Sequence, residues 1–420
     1  MLVFKFGGAS VKDADAVQNV SRILERYKND SVLVVISAMG KTTNLMERLV
    51  ESYMSDIDTT PVLDELKQFH RDIINNLMGD KASSFYEVEN LFIELECTLD
   101  TDLRKNGYDF VYDQIVPYGE LISTRIVSQY LNQNGSTSRW LDARNFVVTS
   151  CDHRRGRIDW DTTQNLISKR AKKLIEKQLT ITQGFIGRTS ENTTSTLGRE
   201  GSDYTAAIFA YCLDADSVTI WKDVPGVMNA DPKRLNETKL LPDISFKEAI
   251  ELAYYGASVI HPKTIQPLMR KAIPLYVRSF VDESAPGTTV QDHGLNEVIK
   301  VPCYIFKDDQ IMISLASKDF AFIVEDNLSH IFSALARAGI QINLMQNTAI
   351  SFAICANNDP RRIAEFKSII GDDYHMEVTE KLQLLTVFNP IENNGLSDIT
   401  SGKNKLLEHR TKNALQLILQ

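Results

Sequence analysis

Chemistry enters the chain at Lys5. The run Lys5-Phe6-Gly7-Gly8-Ala9-Ser10 closes a short apolar stretch and is followed by a helical pattern. The backbone N–H groups of a glycine turn form an anion nest, and a cation beside them can neutralise a transferring phosphoryl group. The turn is not a Walker A loop, which ends in Gly-Lys-Ser/Thr at fixed spacing. A plain strand-to-helix turn with a solvated lysine is the simpler alternative.

Four more polar segments follow apolar runs. Ser37-Ala38-Met39-Gly40-Lys41-Thr42-Thr43 puts hydroxyls after a buried strand, where Thr42 or Thr43 could also serve as a helix N-cap. Pro117-Tyr118-Gly119-Glu120 opens a helix over 120–131, and a first-turn carboxylate suits the helix dipole with or without a ligand. QGFIG at 183–187 precedes TTSTLGREGSDYTAA at 193–207, a glycine-rich turn into a helix that Ser202 or Asp203 could cap. Arg199 could grip a carboxylate bidentately, and Asp203 could hold Mg²⁺ or orient Lys5. This density of glycine, hydroxyl, Arg and Asp exceeds what capping requires.

In WKDVPGVMNADPKR at 221–234, Asp223 and Lys233 flank a Pro-Gly turn, with Trp221 and Met228 as apolar surface for a nucleotide base. A surface loop is the alternative there. His261-Pro262 reads as a turn without a catalytic role. Ligands of open α/β sheets bind beyond the carboxyl ends of the strands, so these distant turns can converge on one site.

The elements between the turns support that arrangement. SVLVVISAM at 31–39 is nearly all apolar, as a parallel strand buried on both faces requires. Residues 60–135 are mostly helical by pattern. SRWLDA (138–143), LTITQGFIG (179–187), SVTIWKDV (217–224) and IPLYVRSF (273–280) alternate with helices, which predicts an α/β sheet. The segment 281–300 is loop-like and holds Pro286 and Gly287, so a domain boundary is expected there. Beyond it come a strand (310–317), a helix (326–339), strands at 340–347 and 349–356, a helix (359–371), and one or two strands over 375–389. This is the βαββαβ order of a ferredoxin-like unit.

A length of 420 residues suits two or three domains. With 46 Lys+Arg against 55 Asp+Glu the net charge is -9, which argues against a non-specific nucleic-acid binder. No apolar run is long enough for a membrane span, and Lys5 with Gly7-Gly8 interrupts any signal peptide. The five cysteines are scattered without metal-ligand spacing, so no protein-held metal site and a reducing, cytoplasmic setting are expected.

Together the segments KFGGAS, VVISAMGKTTNL, YGE, TQGFIG, TLGREGSDYTAA, WKDVPGVMNADP and YYGASVIHPKTI, up to PGTTV, resemble the aspartate kinases of the amino-acid kinase superfamily. The pieces run in the family's order from residue 3 to about 290, and the tail resembles the family's ACT regulatory region. The resemblance implies a three-layer αβα, carbamate kinase-like catalytic domain over 1–290. It implies an ACT region over 300–420, with one full unit at about 310–381 and a truncated second one. It further implies transfer of the ATP γ-phosphoryl group to the β-carboxylate of L-aspartate, the entry step towards lysine, threonine, methionine and diaminopimelate.

In that family pattern Lys5 matches the lysine that stabilises the phosphoryl group, and Asp203 the aspartate that organises the catalytic groups. Ser37, Thr43, Glu120, Phe185, Arg199 and Ser202 match the aspartate-binding set. Lys5, Gly7, Gly8, Lys222, Asp223, Met228, Lys233 and Ser258 match nucleotide-binding positions. Mg²⁺ would arrive mainly through the nucleotide phosphates. A homodimer or larger homo-oligomer through the ACT regions is implied. The near alternatives are a kinase of the same fold acting on another acid, and a catalytically silent amino-acid sensor. The presence of Lys5 and Asp203 argues against the sensor, and Arg199 with Glu120 argues for an amino-acid substrate.

Departures from the pattern are local. Ala9 replaces a usual threonine, Glu200 a common glycine, Lys222 a frequent threonine, and Ser258 a frequent nucleotide-contacting lysine whose charge Lys222 or Lys263 could replace. Met228 stands where an aromatic is frequent and Lys233 where arginine is. In the tail, Asn343 and Ala349 stand where lysine-inhibited members carry carboxylates, so weak or absent lysine inhibition is expected. The chain ends at Gln420 without a dinucleotide fingerprint, so a monofunctional kinase is expected.

Overall fold

The computed structural model describes all residues except 80–85, 258–259, 295–297, 319–321, 372 and 391–395, together with the side chains of 397 and 398. It divides into two compact units. The first holds Met1–Val227, Leu240–Ile250 and Val259–Val298; the second holds Met228–Lys239, Glu251–Ser258 and Ile299–Gln420. Among the described residues no helix is long and apolar enough to cross a membrane.

The first unit contains β1 (Leu2–Phe6), β2 (Val32–Ile36), β3 (Ser138–Leu141), β4 (Val148–Thr149), β5 (Leu179–Gln183), β6 (Ile186–Thr189), β7 (Thr194–Thr196), β8 (Ser217–Lys222), β9 (Asp243–Ser245), β10 (Leu275–Ser279) and β11 (Thr288–Gln291). Eight of them form one sheet in the order β3-β5-β2-β1-β8-β10-β11-β9. From β3 to β10 every pairing is parallel. The centre of this sheet is covered on both faces, which is why β2 reads VLVVI and all five of its residues are buried.

Amphipathic helices supply the cover. The helix Ala14–Glu25 starts at Asp13, whose carboxylate accepts the Ala16 N–H at 2.9 Å, and it turns Val17, Val20, Ile23 and Leu24 inward. The expected helical stretch over 60–135 resolves into Thr60–Met78, Tyr86–Asp100, Tyr108–Ile115 and Tyr118–Gln133.

Two sequence expectations change here. LTITQGFIG is not one strand: it breaks at Gly184-Phe185 into β5 of the large sheet and β6 of a small sheet, ordered β4-β6-β7. Phe185 stands at φ 71°, held by its N–H on Thr205 Oγ1 and its carbonyl on the Leu197 N–H, both 2.9 Å. The second change lies in the loop-like stretch 281–300, which contains β11, antiparallel to β10. Thr288 and Val290 point inward at 1% and 0% exposure, an alternation that outweighs the Pro286-Gly287 turn before it.

The second unit contains β12 (Cys303–Ser317), β13 (Ile342–Asn347), β14 (Ser351–Asn357), β15 (Tyr374–Phe388), β16 (Lys405–Arg410) and β17 (Ala414–Leu419), in the sheet order β13-β14-β12-β15-β17-β16. The helices Glu325–Ala338 and Pro360–Ile370 complete the βαββαβ order read from the sequence. β12 and β15 are 15 residues each and run through the whole sheet. Their pairing shifts register between Lys307 and Met312, where Asp309 and Lys381 take φ of 48° and 60°. On one side of this bulge β14 lies against β12; on the other side β17 lies against β15. The end of β15, Leu384–Phe388, therefore has its partner in Cys303–Lys307, ahead of the βαββαβ run, and β17 and β16 follow it outward.

Close backbone approach fixes the sheet ends of the first unit. A Cβ on Gly184 would lie 2.4 Å from Ser202 Cβ, inside a fully packed turn. Gly184→Ala is expected to lower stability by about 1–3 kcal/mol through this overpacking. A thermal melt reads the loss as a lower Tm; an unchanged Tm contradicts the stated contact.

Candidate active site

Four turns meet at the carboxyl ends of β1, β2, β5 and β8. The ladders continue into them: the Ser37 N–H reaches the Phe6 carbonyl at 3.1 Å, Gly40 N–H the Gly8 carbonyl at 3.0 Å, and Gly184 N–H the Ile36 carbonyl at 3.0 Å. Gly8 permits the first of these turns to touch the second, because a Cβ there would lie 2.8 Å from the Ala38 carbonyl oxygen. Gly7 sits under the Lys5 ammonium, with Nζ 3.2 Å from where its Cβ would be.

The Lys5 ammonium lies 2.7 Å from Asp203 Oδ1. Their side chains are 11% and 4% exposed, so the pair is largely desolvated. Lys222 Nζ stands 4.0 Å from the other oxygen, Oδ2. The register explains the convergence. Lys5 on β1 pairs with Ile220 on β8, and Lys222 is two residues further along. Both lysines thus point to one face of the sheet as diagonal neighbours.

Asp203 belongs to the first turn of the helix Gly201–Leu213. The sequence offers Ser202 or Asp203 as its cap, but the capping position is Glu200, in left-handed conformation at φ 53°, and no side chain caps the helix. The reason is steric: the chain must turn within a residue to clear Phe185, whose ring carbon lies 2.7 Å from the Cβ position of Gly201. The helix N-terminus is left open towards the two lysines, as an anion site requires. Burial and the neighbouring Asp203 raise the pKa of Glu200, against the opposing pull of Lys222, Arg199 and Lys5.

Ser37 is half-buried after β2, and its carbonyl accepts the Ser123 hydroxyl at 2.7 Å. Thr43 is half-buried in the first turn of the helix Thr42–Met54, which neither Thr42 nor Thr43 caps. Thr42 instead donates to the Met39 carbonyl at 2.6 Å. Glu120 is 4% exposed, and its Oε1 accepts the Ala38 N–H at 3.3 Å. Burial pushes this carboxyl up to about 8. The close fit of its helix against the β2 turn needs Gly119, whose Cβ position is 3.1 Å from Ala38 Cβ. Phe185 is half-buried and Arg199 exposed. Arg199 is close enough to His261 to lower its pKa, though burial of that ring is the larger cause. His261 caps the helix Pro262–Arg270, accepting the Lys263 N–H at 3.1 Å.

The remaining predicted residues are divided between the two units. Asp223 is exposed after β8 in the first unit. Met228 and Lys233 belong to the second unit, Met228 half-buried and Lys233 in an exposed turn with its N–H on Asp231 Oδ1 at 2.9 Å. Ser258 lies outside the described residues. Trp221 is not a surface for a base: it is 3% exposed and stacks on Phe6 at 5.8 Å with an interplanar angle of 2°. Sequence reasoning missed Asp113, fully buried beside the strand that leads to Arg199. Its one signal was an acidic residue among the apolar positions Val111, Tyr112 and Ile115 of an amphipathic helix.

A model of the amino acid kinase family matches residues 1–279. The chain is 32% identical over 357 residues to lysine-sensitive aspartokinase 3 of Escherichia coli, covering 84% of this chain and 78% of that one. The chain belongs to the amino acid kinase family, among its aspartokinases. A chloroplastic bifunctional aspartokinase/homoserine dehydrogenase 2 of Arabidopsis thaliana is 31% identical over 373 residues, and the match spans only 39% of that relative's length. The structure of E. coli aspartokinase III in complex with aspartate and ADP (R-state) superposes with a TM-score of 0.84 at 28% identity, covering 100% of this chain and 96% of that one. The family membership accounts for the parallel sheet and its turns; the chemistry of those turns follows from their own geometry.

Glu120 makes that geometry testable without a ligand. A carboxyl held above its unfolded value is protonated in the folded protein at neutral pH, while the unfolded chain ionises from about 4.5. Its contribution is present at low pH and is lost as pH rises towards 8. Glu120→Gln is therefore expected to gain stability relative to the parent between pH 5 and 8, by a few kcal/mol at most. Urea denaturation at both pH values measures the difference; a constant gap contradicts the burial argument.

Proposed function

We propose that the chain transfers the γ-phosphoryl group of ATP to the β-carboxylate of L-aspartate, forming 4-phospho-L-aspartate. The observation that carries this reading is the desolvated Lys5–Asp203 pair at 2.7 Å below an uncapped helix N-terminus, with Arg199 four residues before Asp203. The aspartokinase III complex with aspartate and ADP supports the pairing of these two ligands.

In this reading the substrate carboxylate is already ionised and needs no base. Its oxygen attacks the γ-phosphorus, the bond to the β-phosphate oxygen breaks, and ADP leaves. Catalysis is then positioning and charge neutralisation. Lys5 meets the transferring group, and Asp203 holds Lys5 in place. Arg199 pairs with the substrate's other carboxylate. Glu120 accepts a hydrogen bond from the α-ammonium and releases its own proton to solvent as substrate enters. Ser37, Thr43, Ser202 and Phe185 shape the rest of the amino-acid pocket.

Gly7 and Gly8 bring backbone N–H groups to the phosphates, with Lys222 at the end of the paired strand β8 and Asp223 in the turn after it. Lys222 supplies the ammonium that Ser258 lacks and offsets Glu200. Mg²⁺ comes with the nucleotide phosphates. Among the described residues no group of three or more His, Cys, Asp or Glu is placed to hold a metal ion. Asp203 and Glu200 are the carboxylates available to an ion that arrives with its own phosphate ligands.

The first unit is assigned the catalytic role and the second the ACT regulatory role, with homodimerisation through the latter. All five cysteines are unpaired, which suits a reducing, cytoplasmic setting. In the second unit Asn343 accepts from the Lys307 ammonium at 2.9 Å and donates to Gln310 and Asn357 at 2.7 and 2.9 Å. The position where a carboxylate would meet a cationic effector is thus an amide engaged with an internal lysine.

Two tests follow. ATP-dependent hydroxamate formation from aspartate and hydroxylamine is expected for the parent, and Lys5→Ala is expected to lower kcat by about 10²-fold or more. Lys222 leaves Asp203 a cation at 4.0 Å in that variant, so the fold is retained, as circular dichroism can verify. Near-parent turnover would sink the assignment. In the same assay, millimolar lysine is expected to leave the rate nearly unchanged; strong inhibition below a millimolar would refute the reading of Asn343.

A further inference from the structure

A buried carboxylate outside the proposed substrate and phosphate contacts is hydrogen-bonded to the segment that leads to Arg199. Asp113, in the helix Tyr108–Ile115, has no exposed surface. Its Oδ1 accepts the Thr196 hydroxyl at 2.7 Å. Its Oδ2 accepts the Thr196 N–H at 3.2 Å and the Arg154 N–H at 3.0 Å, and lies 3.0 Å from His153 Nδ1. Burial raises the carboxyl's pKa, and these bonds only partly oppose the rise.

The partners come from two segments remote in sequence. Thr196 is the last residue of β7, three residues before Arg199. Arg154 is a turn residue in left-handed conformation at φ 61°. The Gly156 N–H donates to the Thr196 carbonyl at 3.0 Å, closing the link between the two segments. The chain then passes Leu197, whose N–H is fixed on Phe185, and Gly198 at φ 77°. A Cβ on Gly198 would lie 3.0 Å from the Arg154 carbonyl oxygen. The path from Thr196 to Arg199 is therefore laid directly over the turn that Asp113 clamps. The Arg199 side chain is exposed, so its backbone, not side-chain packing, aims it.

We propose that Asp113 is a positioning residue for Arg199: it fixes the β7 end and the 153–154 turn as one rigid seat, and so sets the affinity for the amino-acid substrate rather than for the nucleotide. This rests on the reading of Arg199 as the substrate-carboxylate arginine. A structural carboxylate of no functional consequence would affect both substrates alike; a seat for Arg199 affects one.

The test is steady-state kinetics on full-length variants, with KM for aspartate and for ATP measured separately. Asp113→Ala is expected to raise KM for aspartate about tenfold or more, with KM for ATP within about twofold of the parent. Asp113→Asn is expected to stay within about threefold for both. Its amide oxygen can take the place of Oδ2, and its NH₂ group can donate to the Thr196 hydroxyl, which then acts as acceptor. Equal rises in both KM values for Asp113→Ala, or an Asn variant as impaired as Ala, would overturn the proposal. Should Asp113→Ala fail to fold, Thr196→Val removes only the hydroxyl contact. A several-fold rise in KM for aspartate alone is then expected, and its absence overturns the proposal.

Arg199→Ala separates this idea from the reading beneath it. If that variant raises KM for aspartate and the Asp113 and Thr196 variants do not, positioning falls and the function stands. If Arg199→Ala leaves KM for aspartate unchanged, the role of Arg199 falls and the seat proposed for it falls too.

Discussion

An ammonium and a carboxylate taken out of water at the end of a central strand must be held in contact, or each costs several kcal/mol. The Lys5–Asp203 pair sets this requirement, and much of the first unit answers it. Asp203 reaches Lys5 only from the first turn of its helix. That helix can start there only if the chain turns sharply at Glu200, a conformation that costs about 1–2 kcal/mol for a residue with a Cβ. The turn in turn needs Gly201 against Phe185 and Gly184 against Ser202. On the other side, Gly8 lets the β1 turn lie on the β2 turn. Gly184 and Gly201 are thus consequences of one ion pair, while Gly8 answers to the packing of the β1 turn on the β2 turn. The left-handed Glu200 is strain located where the chemistry is proposed, as is common at functional sites.

The sequence made the large features readable where one physical signal dominated. Apolar runs between polar turns located β1, β2, β8 and β10 within a few residues, because parallel strands buried on both faces tolerate little else. The βαββαβ order of the second unit was readable because its period changes between strand and helix, but β12 starts at Cys303 rather than at 310, and β16 and β17 were not placed individually. Where two signals competed, local reasoning chose wrongly. The Pro-Gly pair hid β11, and LTITQGFIG looked continuous because its break depends on Thr205 and Leu197, partners 20 and 12 residues away. Ser202 and Asp203 are good capping residues by type, yet the packing of Phe185 decided where the helix begins.

The site was partly legible for the same reason. Turns rich in glycine and hydroxyls mark the strand ends, so Lys5, Arg199 and Asp203 could be proposed from composition and order, whereas Ser37 and Glu120 became candidates only through the family resemblance. Trp221 could not be read correctly, because its stacking partner Phe6 is 215 positions earlier on a neighbouring strand. Asp113 was invisible as a functional candidate: its partners are 40 to 83 positions downstream, and only the fold brings them to one carboxylate.

The two long strands of the second unit carry a consequence for how that unit comes apart. β12 pairs with β15 on both sides of the bulge, while β13 and β14 are fastened to β12 alone and β16 and β17 to β15 alone. Melting β13 and β14 bares one half of β12, and melting β16 and β17 bares one half of β15, but neither event can separate the two central strands alone. The unit consequently has fraying edges and a single indivisible spine. Amide exchange slowed to the rate of whole-unit unfolding belongs to β12 and β15, with the outer strands opening earlier and independently of each other.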